Sequence, residues 1–165
     1  MTLPDALRAL AFLDGRWVGR GEGSYPTIAP FHYEQELTVT CDGRPFLQSA
    51  SRTWVLDAGG ARVRPAATEL AFWRPAGESG VELVLALPTG ITEVYAGTVN
   101  RARIELRTVS VGRAPTAKEV TAGRRTYALE DSTLLVEHDM AAVGQALTRH
   151  LTARLQRVPP GRSAR

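Results

Sequence analysis

The residues best suited to chemistry lie near the end of the chain, in Leu147-Thr148-Arg149-His150-Leu151-Thr152-Ala153-Arg154-Leu155. Apolar and polar side chains alternate there with the period of a strand that has one dry face and one wet face. Leu147, Leu151, Ala153 and Leu155 fall on one side with Arg149. His150 falls on the other with Thr148 and Thr152. A single imidazole at mid-strand is either a hydrogen-bonded surface histidine or a ligand for a metal or haem iron, because a neutral ring nitrogen is a good iron donor. The other two histidines read as surface groups. His32 sits among Glu34 and Glu36, and His138 lies between Glu137 and Asp139, so neither pairs with a second histidine at metal spacing. Met140 reads as core. No serine-histidine-acid order, phosphate loop or carboxylate pair stands out.

The elements that would position His150 are mostly strands. Ten short runs rich in Val, Thr, Leu and aromatics recur between turn residues: 16–20, 31–40, 45–56, 68–73, 81–87, 91–97, 103–110, 118–129, 133–142 and 147–157. Turn signals such as Asp42-Gly43, Gly59-Gly60 and Pro88-Thr89-Gly90 separate them. With no amphipathic helix between the runs, an antiparallel meander follows, and ten strands favour closure into an up-and-down barrel over long open edges. Before them, Leu3, Leu7 and Leu10 repeat at helical spacing behind Thr2-Leu3-Pro4-Asp5, which predicts a short helix over residues 3 to 11 that ends at Asp14-Gly15. The expectation is an all-β, lipocalin-like barrel with a short N-terminal helix, one domain over residues 1–158, and a flexible tail over 159–165.

Composition narrows the function. The chain has 165 residues, 44% of them hydrophobic, enough for one domain with a sizeable core. Twenty basic against 17 acidic residues leave a charge of +3 without a clustered basic face, which argues against nucleic acid. No apolar run reaches the roughly 20 residues that span a bilayer, so no membrane partner is expected. The lone Cys41 and the lack of a signal-peptide pattern point to the cytoplasm. Facing residues Phe31, Tyr33, Gln35, Leu37 and Val39, and likewise Val81, Leu83, Leu85 and Leu87, would line an interior able to hold one apolar ligand.

The most specific local pattern is Gly15-Arg16-Trp17-Val18-Gly19-Arg20-Gly21. Alternate glycines strip one face of a strand for close backbone approach, and Trp17 plugs that same face. This stretch resembles the mark of the nitrobindin family, Gly-x-Trp-x-Gly-x-Gly. Further matches follow in order: Tyr25-Pro26-Thr27-Ile28 with Pro30-Phe31, Gly43-Arg44-Pro45-Phe46, Pro88 to Glu93, Ala117-Lys118-Glu119-Val120, Met140 and His150-Leu151. The resemblance covers nearly the whole chain.

It implies a ten-stranded barrel binding one ferric haem b near its opening, with His150 as the proximal iron ligand and catalytic centre and Thr27 as a haem contact. It also implies isomerisation of peroxynitrite to nitrate and reversible binding of nitric oxide. The alternative is a non-catalytic barrel carrying haem, nitric oxide or lipid. Lys118-Glu119 and Arg124-Arg125 are candidates for the haem carboxylates or for salt-bridged exterior. Ala66 and Ala67 stand where family members often carry a larger residue and a histidine on the distal side, and Ala71 replaces a usual glycine. If His150 points inward, strand parity turns Leu147, Leu151 and Leu155 outward unless a bulge intervenes. An outward leucine row predicts a cover, by the helix or by a second subunit in a homodimer.

Overall fold

Every one of the ten sequence runs becomes a strand, and the strands close on themselves. The computed structural model describes residues 3–159. Its strands are β1 (Gly15–Tyr25), β2 (Ile28–Thr40), β3 (Leu47–Leu56), β4 (Arg62–Ala76), β5 (Gly80–Leu87), β6 (Ile91–Asn100), β7 (Arg103–Arg113), β8 (Val120–Glu130), β9 (Thr133–Ala142) and β10 (Thr148–Val158). Each pairs antiparallel with its sequence neighbours, and β1 closes the barrel against β10. Closure removes the free edges that a sheet of this width would otherwise expose. Of the expected tail, only Pro159 belongs to the described residues.

The helix is a 3-10 helix, Asp5–Leu13, two residues later than expected at each end. Leu7, Leu10 and Leu13 are fully buried and plug the barrel end where β1 starts. Asp14 ends it, as the sequence indicated, and Trp17 Nε1 ties back to the Leu13 carbonyl at 2.8 Å. The Arg157 guanidinium lies 4.3 Å over the Trp17 ring and reaches the Phe12 and Asp14 carbonyls, so β10 clamps helix and first strand together.

The glycines of β1 are packing devices. A Cβ on Gly19 would run into the Arg154 carbonyl. On Gly21 it would lie 2.5 Å from the Thr152 carbonyl oxygen and 2.5 Å from the Tyr33 ring. Here β1 lets the β2 aromatics lie flat across its inner face.

The leucine row does not face outward. Leu155 is fully buried inside, Leu151 packs on the core, and only Leu147 is exposed. The reason is a bulge: Arg149 pairs with Asp139 and Leu151 with His138, so His150 is an extra residue on β10 that resets the alternation. The argument for a covering subunit from that row therefore falls.

Gly21→Ala is expected to destabilise the barrel by about 2 kcal/mol, lowering the urea midpoint followed by tryptophan fluorescence. Gly59→Ala, whose nearest neighbour is the Asp57 carboxylate oxygen at 3.3 Å, itself held by Gly59 N and Ala61 N at 2.9 Å, should cost less, about 0.5 to 1 kcal/mol.

Candidate functional site

The turns after β1, β5, β7 and β9 all fall at the barrel end opposite the helix, and they surround an open cavity of about 540 Å³. Its wall is largely apolar, with Ile28, Ile91, Val120, Met140 and Ala142 among its members, and Thr27 and His150 both line it. The structure thus brings the two sequence-predicted contact residues to one mouth. The Gly15-to-Gly21 segment runs from the plugged end up the wall beneath that mouth, and only its continuation, Tyr25, lines the cavity.

His150 is held in one orientation. The β1–β10 ladder stops at Gly23 and Leu151, one residue short of His150. The Ser24 carbonyl next in line accepts from His150 Nδ1 at 3.0 Å. A carbonyl only accepts, so the proton sits on Nδ1 and the lone pair on Nε2. Among the described residues, no group hydrogen-bonds Nε2. Tyr25 packs edge-on against the ring with centroids 5.4 Å apart, Phe31 at 6.5 Å and His138 at 6.0 Å. Tyr25 is itself anchored: its hydroxyl accepts from Ala142 N at 2.9 Å and meets the Met140 and Ala142 carbonyls at 3.0 and 3.3 Å. Outside the wall, Arg149 is pinned by Glu137 and Asp139, and Arg124 by Asp139, which fixes the bulge from behind.

Below the mouth lies a second, narrower chamber of about 40 Å³, room for a few waters. Arg125, Glu69, Tyr33, Tyr127 and His138 line it, with Ala67 and Ala71 in its wall. Ala66 and Ala67 are both exposed on β4; Ala67, which shares the parity of Glu69 and Ala71, borders the chamber rather than the mouth. His138 corrects the surface reading. It is 9% exposed, and its Nε2 has no partner among the described residues. Burial first, then the Arg125 charge and His150, hold its pKa well below the ordinary 6.5. Arg124 and Arg125 likewise part company, one outside in a salt bridge and the other buried. Lys118 remains exposed at the mouth, and His32 is exposed beside Glu22.

Residues 6–157 match the model of the THAP4-like, heme-binding beta-barrel domain. The chain belongs to this family. It is 49% identical over 149 residues to a protein of Streptomyces griseus named peroxynitrite isomerase, covering 89% of this chain and 80% of that one. A Nocardioides protein of the same name is 48% identical, covering 94% of this chain and 97% of the relative. The crystal structure of Rv2717c from M. tuberculosis superposes with a TM-score of 0.86 at 44% identity, over 96% of this chain and all of that one.

The group named in the family description fits what the mouth offers. An apolar, open-ended cavity of this size suits a flat hydrophobic ligand. One imidazole with a free, correctly tautomeric Nε2 is the donor that a haem iron takes. Among the described residues no cluster of three or more His, Cys, Asp or Glu could hold a bare metal ion, so the donor set suits a macrocycle-bound metal rather than a naked one.

Several residues of this haem-binding barrel escaped the sequence reading. His138 shares strand parity with Leu134 and Val136, Glu93 with Ile91 and Tyr95, and Glu69 with Ala71 and Trp73. That alternation was the available signal, masked by acidic neighbours or by the polar residue itself.

Neutral, buried His138 makes stability depend on pH. The unfolded chain takes up a proton near pH 6.5 and the folded one does not, so stability falls as pH drops below that value, by about 1.4 kcal/mol per pH unit. Urea midpoints of the haem-free protein at several pH values should show this slope. His138→Leu should show a slope shallower by one proton.

Proposed function

We propose that this chain is a haem-dependent peroxynitrite isomerase: it holds one haem b, iron in the ferric state, in its mouth through His150 and converts peroxynitrite to nitrate. The observation that carries the reading is the free Nε2 of His150, fixed toward an apolar cavity by the Nδ1 bond to Ser24. The relatives named peroxynitrite isomerase and the family's haem-binding description support it. When bound, ferric haem would supply a Lewis-acidic centre for an anionic oxidant.

The protein's own part is to bind, orient and exclude. His150 would hold the iron through Nε2, and the Ser24 carbonyl keeps the proton on Nδ1, which raises the donor strength of Nε2. Tyr25 and Phe31 stop the ring from turning. Ile28, Ile91 and Val120 give the cavity an apolar wall that would keep water from a bound oxidant. Thr27, in the turn between β1 and β2, would contact the haem. Lys118, exposed at the rim and without an acidic partner among the described residues, would meet the haem carboxylates and draw anionic substrate toward the opening. The same bound haem would take nitric oxide reversibly.

Among the described residues, no helix is long and apolar enough to cross a membrane. With a single free Cys41, the cytoplasm is the proposed setting.

Titration with hemin should give a Soret band in the wild type, and His150→Ala should weaken binding by more than about 100-fold. Stopped-flow mixing of the loaded protein with peroxynitrite should show accelerated decay with nitrate as the main product. A Soret band without that gain would make the barrel a carrier of haem or nitric oxide. Thr27→Val should weaken haem binding only a few-fold, about 1 kcal/mol.

A further inference from the structure

The turn that leaves β9 is strained where it meets the mouth. Val143 has a φ of 46° and Gly144 a φ of 79°, and Gln145 N donates to the Ala142 carbonyl at 2.9 Å, the pattern of a type I′ turn with Val143 at its first central position. That position favours Asn, Asp or Gly. A β-branched residue is a poor choice there, because its Cβ crowds the following carbonyl. Of the non-glycine residues at positive φ among those described, which are Arg101, Ala102, Asp131 and Val143, only Val143 is β-branched. Its neighbours force the conformation on it. Val143 N donates to the Glu119 carbonyl at 3.1 Å and Gly144 N to the Glu119 carboxylate at 3.2 Å, so the loop between β7 and β8 straps the turn in place.

The side chain held in this way does little for the core. Val143 is 40% exposed, and it lines the same cavity as Thr27 and His150. The barrel as it stands therefore carries a strained backbone and an uncovered apolar group at one position. Asparagine before Gly144 would make the favoured type I′ pair and would suit a wet rim. A turn of the same kind joins β6 to β7 through Arg101 and Ala102, but at the helix end, away from the mouth.

We propose that Val143 is a haem-gripping residue: the strapped turn holds its apolar side chain at the cavity wall, and the barrel gives up fold stability there for haem affinity. This rests on the reading of the mouth as the haem site. A flat hydrophobic ligand in the cavity would cover the exposed methyl groups, and affinity rises with the apolar area so buried. A side chain already fixed by its turn loses little freedom when the ligand arrives, which spares binding an ordering cost. Val143 acts on affinity and not on the reaction.

Two measurements on each variant test this: urea unfolding of the haem-free protein and Soret titration with hemin. Val143→Asn should shift the folding equilibrium about three- to tenfold toward the folded state. The same variant should bind hemin about three- to tenfold more weakly. Val143→Ile, which keeps the branch and the apolar surface, should match the wild type in both. Ala102→Gly, which relaxes the turn at the helix end, should stabilise the fold and leave hemin binding unchanged. The proposal is overturned if haem-free Val143→Asn fails to fold or is no more stable than the wild type, if its hemin affinity stays within twofold, or if Ala102→Gly loses affinity equally. Wild-type hemin binding in His150→Ala would end the haem reading and this inference with it. Binding lost in His150→Ala but kept in Val143→Asn sinks only the role of Val143.

Discussion

The hydrogen bond from His150 Nδ1 to the Ser24 carbonyl is the interaction on which the rest of this barrel's chemistry depends. It forms where a ladder gives out: β10 carries one residue too many against β9, and β1 and β10 part at Gly23 and Leu151. An ordinary rung would have tied backbone to backbone and left the imidazole wherever strand parity sent it. The extra residue lets both His150 and Leu151 serve the interior side of the wall. One carbonyl then sets ring orientation and tautomer together. Local loss of ladder bonds is tolerable here because β1 and β10 remain locked by eight paired positions below the break and by Tyr25 spanning to β9 above it.

The interior is layered in polarity along the barrel axis. The 3-10 helix, Trp17, Trp73 and Leu47 make a dry base, where packing carries the stability. The middle holds Arg125, Glu69, Tyr33 and Tyr127 around a small chamber, with Glu93 and Tyr95 packed against the guanidinium. The top is apolar again and open. A low dielectric above and below the polar layer makes each of its charges felt over a longer range than at the surface. His138 lies where that layer meets the mouth, with an unsatisfied nitrogen and a ring against His150. Such groups are kept at a stability cost, which is the usual mark of a functional position.

Much of this was legible in advance. Ten runs of alternating residues became ten strands, and the inward set on β2 and β5 was the one the alternation indicated. The ends were less so. β1 continues to Tyr25 and β4 begins at Arg62, because ladder bonds to already formed neighbours carry strands through stretches such as Arg64-Pro65-Ala66, which have weak strand character of their own. His138 and Arg125 were misjudged or left undecided for one reason. A polar residue among charged neighbours looks solvated unless parity is followed strictly through the turn, and that requires knowing where each strand starts.

The amino-acid sequence alone determined the strand count, the closed meander, the helix at one end, and His150 and Thr27 as the residues to watch, since these follow from period, punctuation and motif order. Tertiary structure decided which way His150 points. A bulge exists only relative to a partner strand, and no property of β10 by itself records that β9 runs one residue short. It also decided that Glu69, Glu93 and Arg125, from three strands far apart in the chain, meet in one buried cluster. Charge compensation inside a barrel depends on closure, and closure is a property of all ten strands at once.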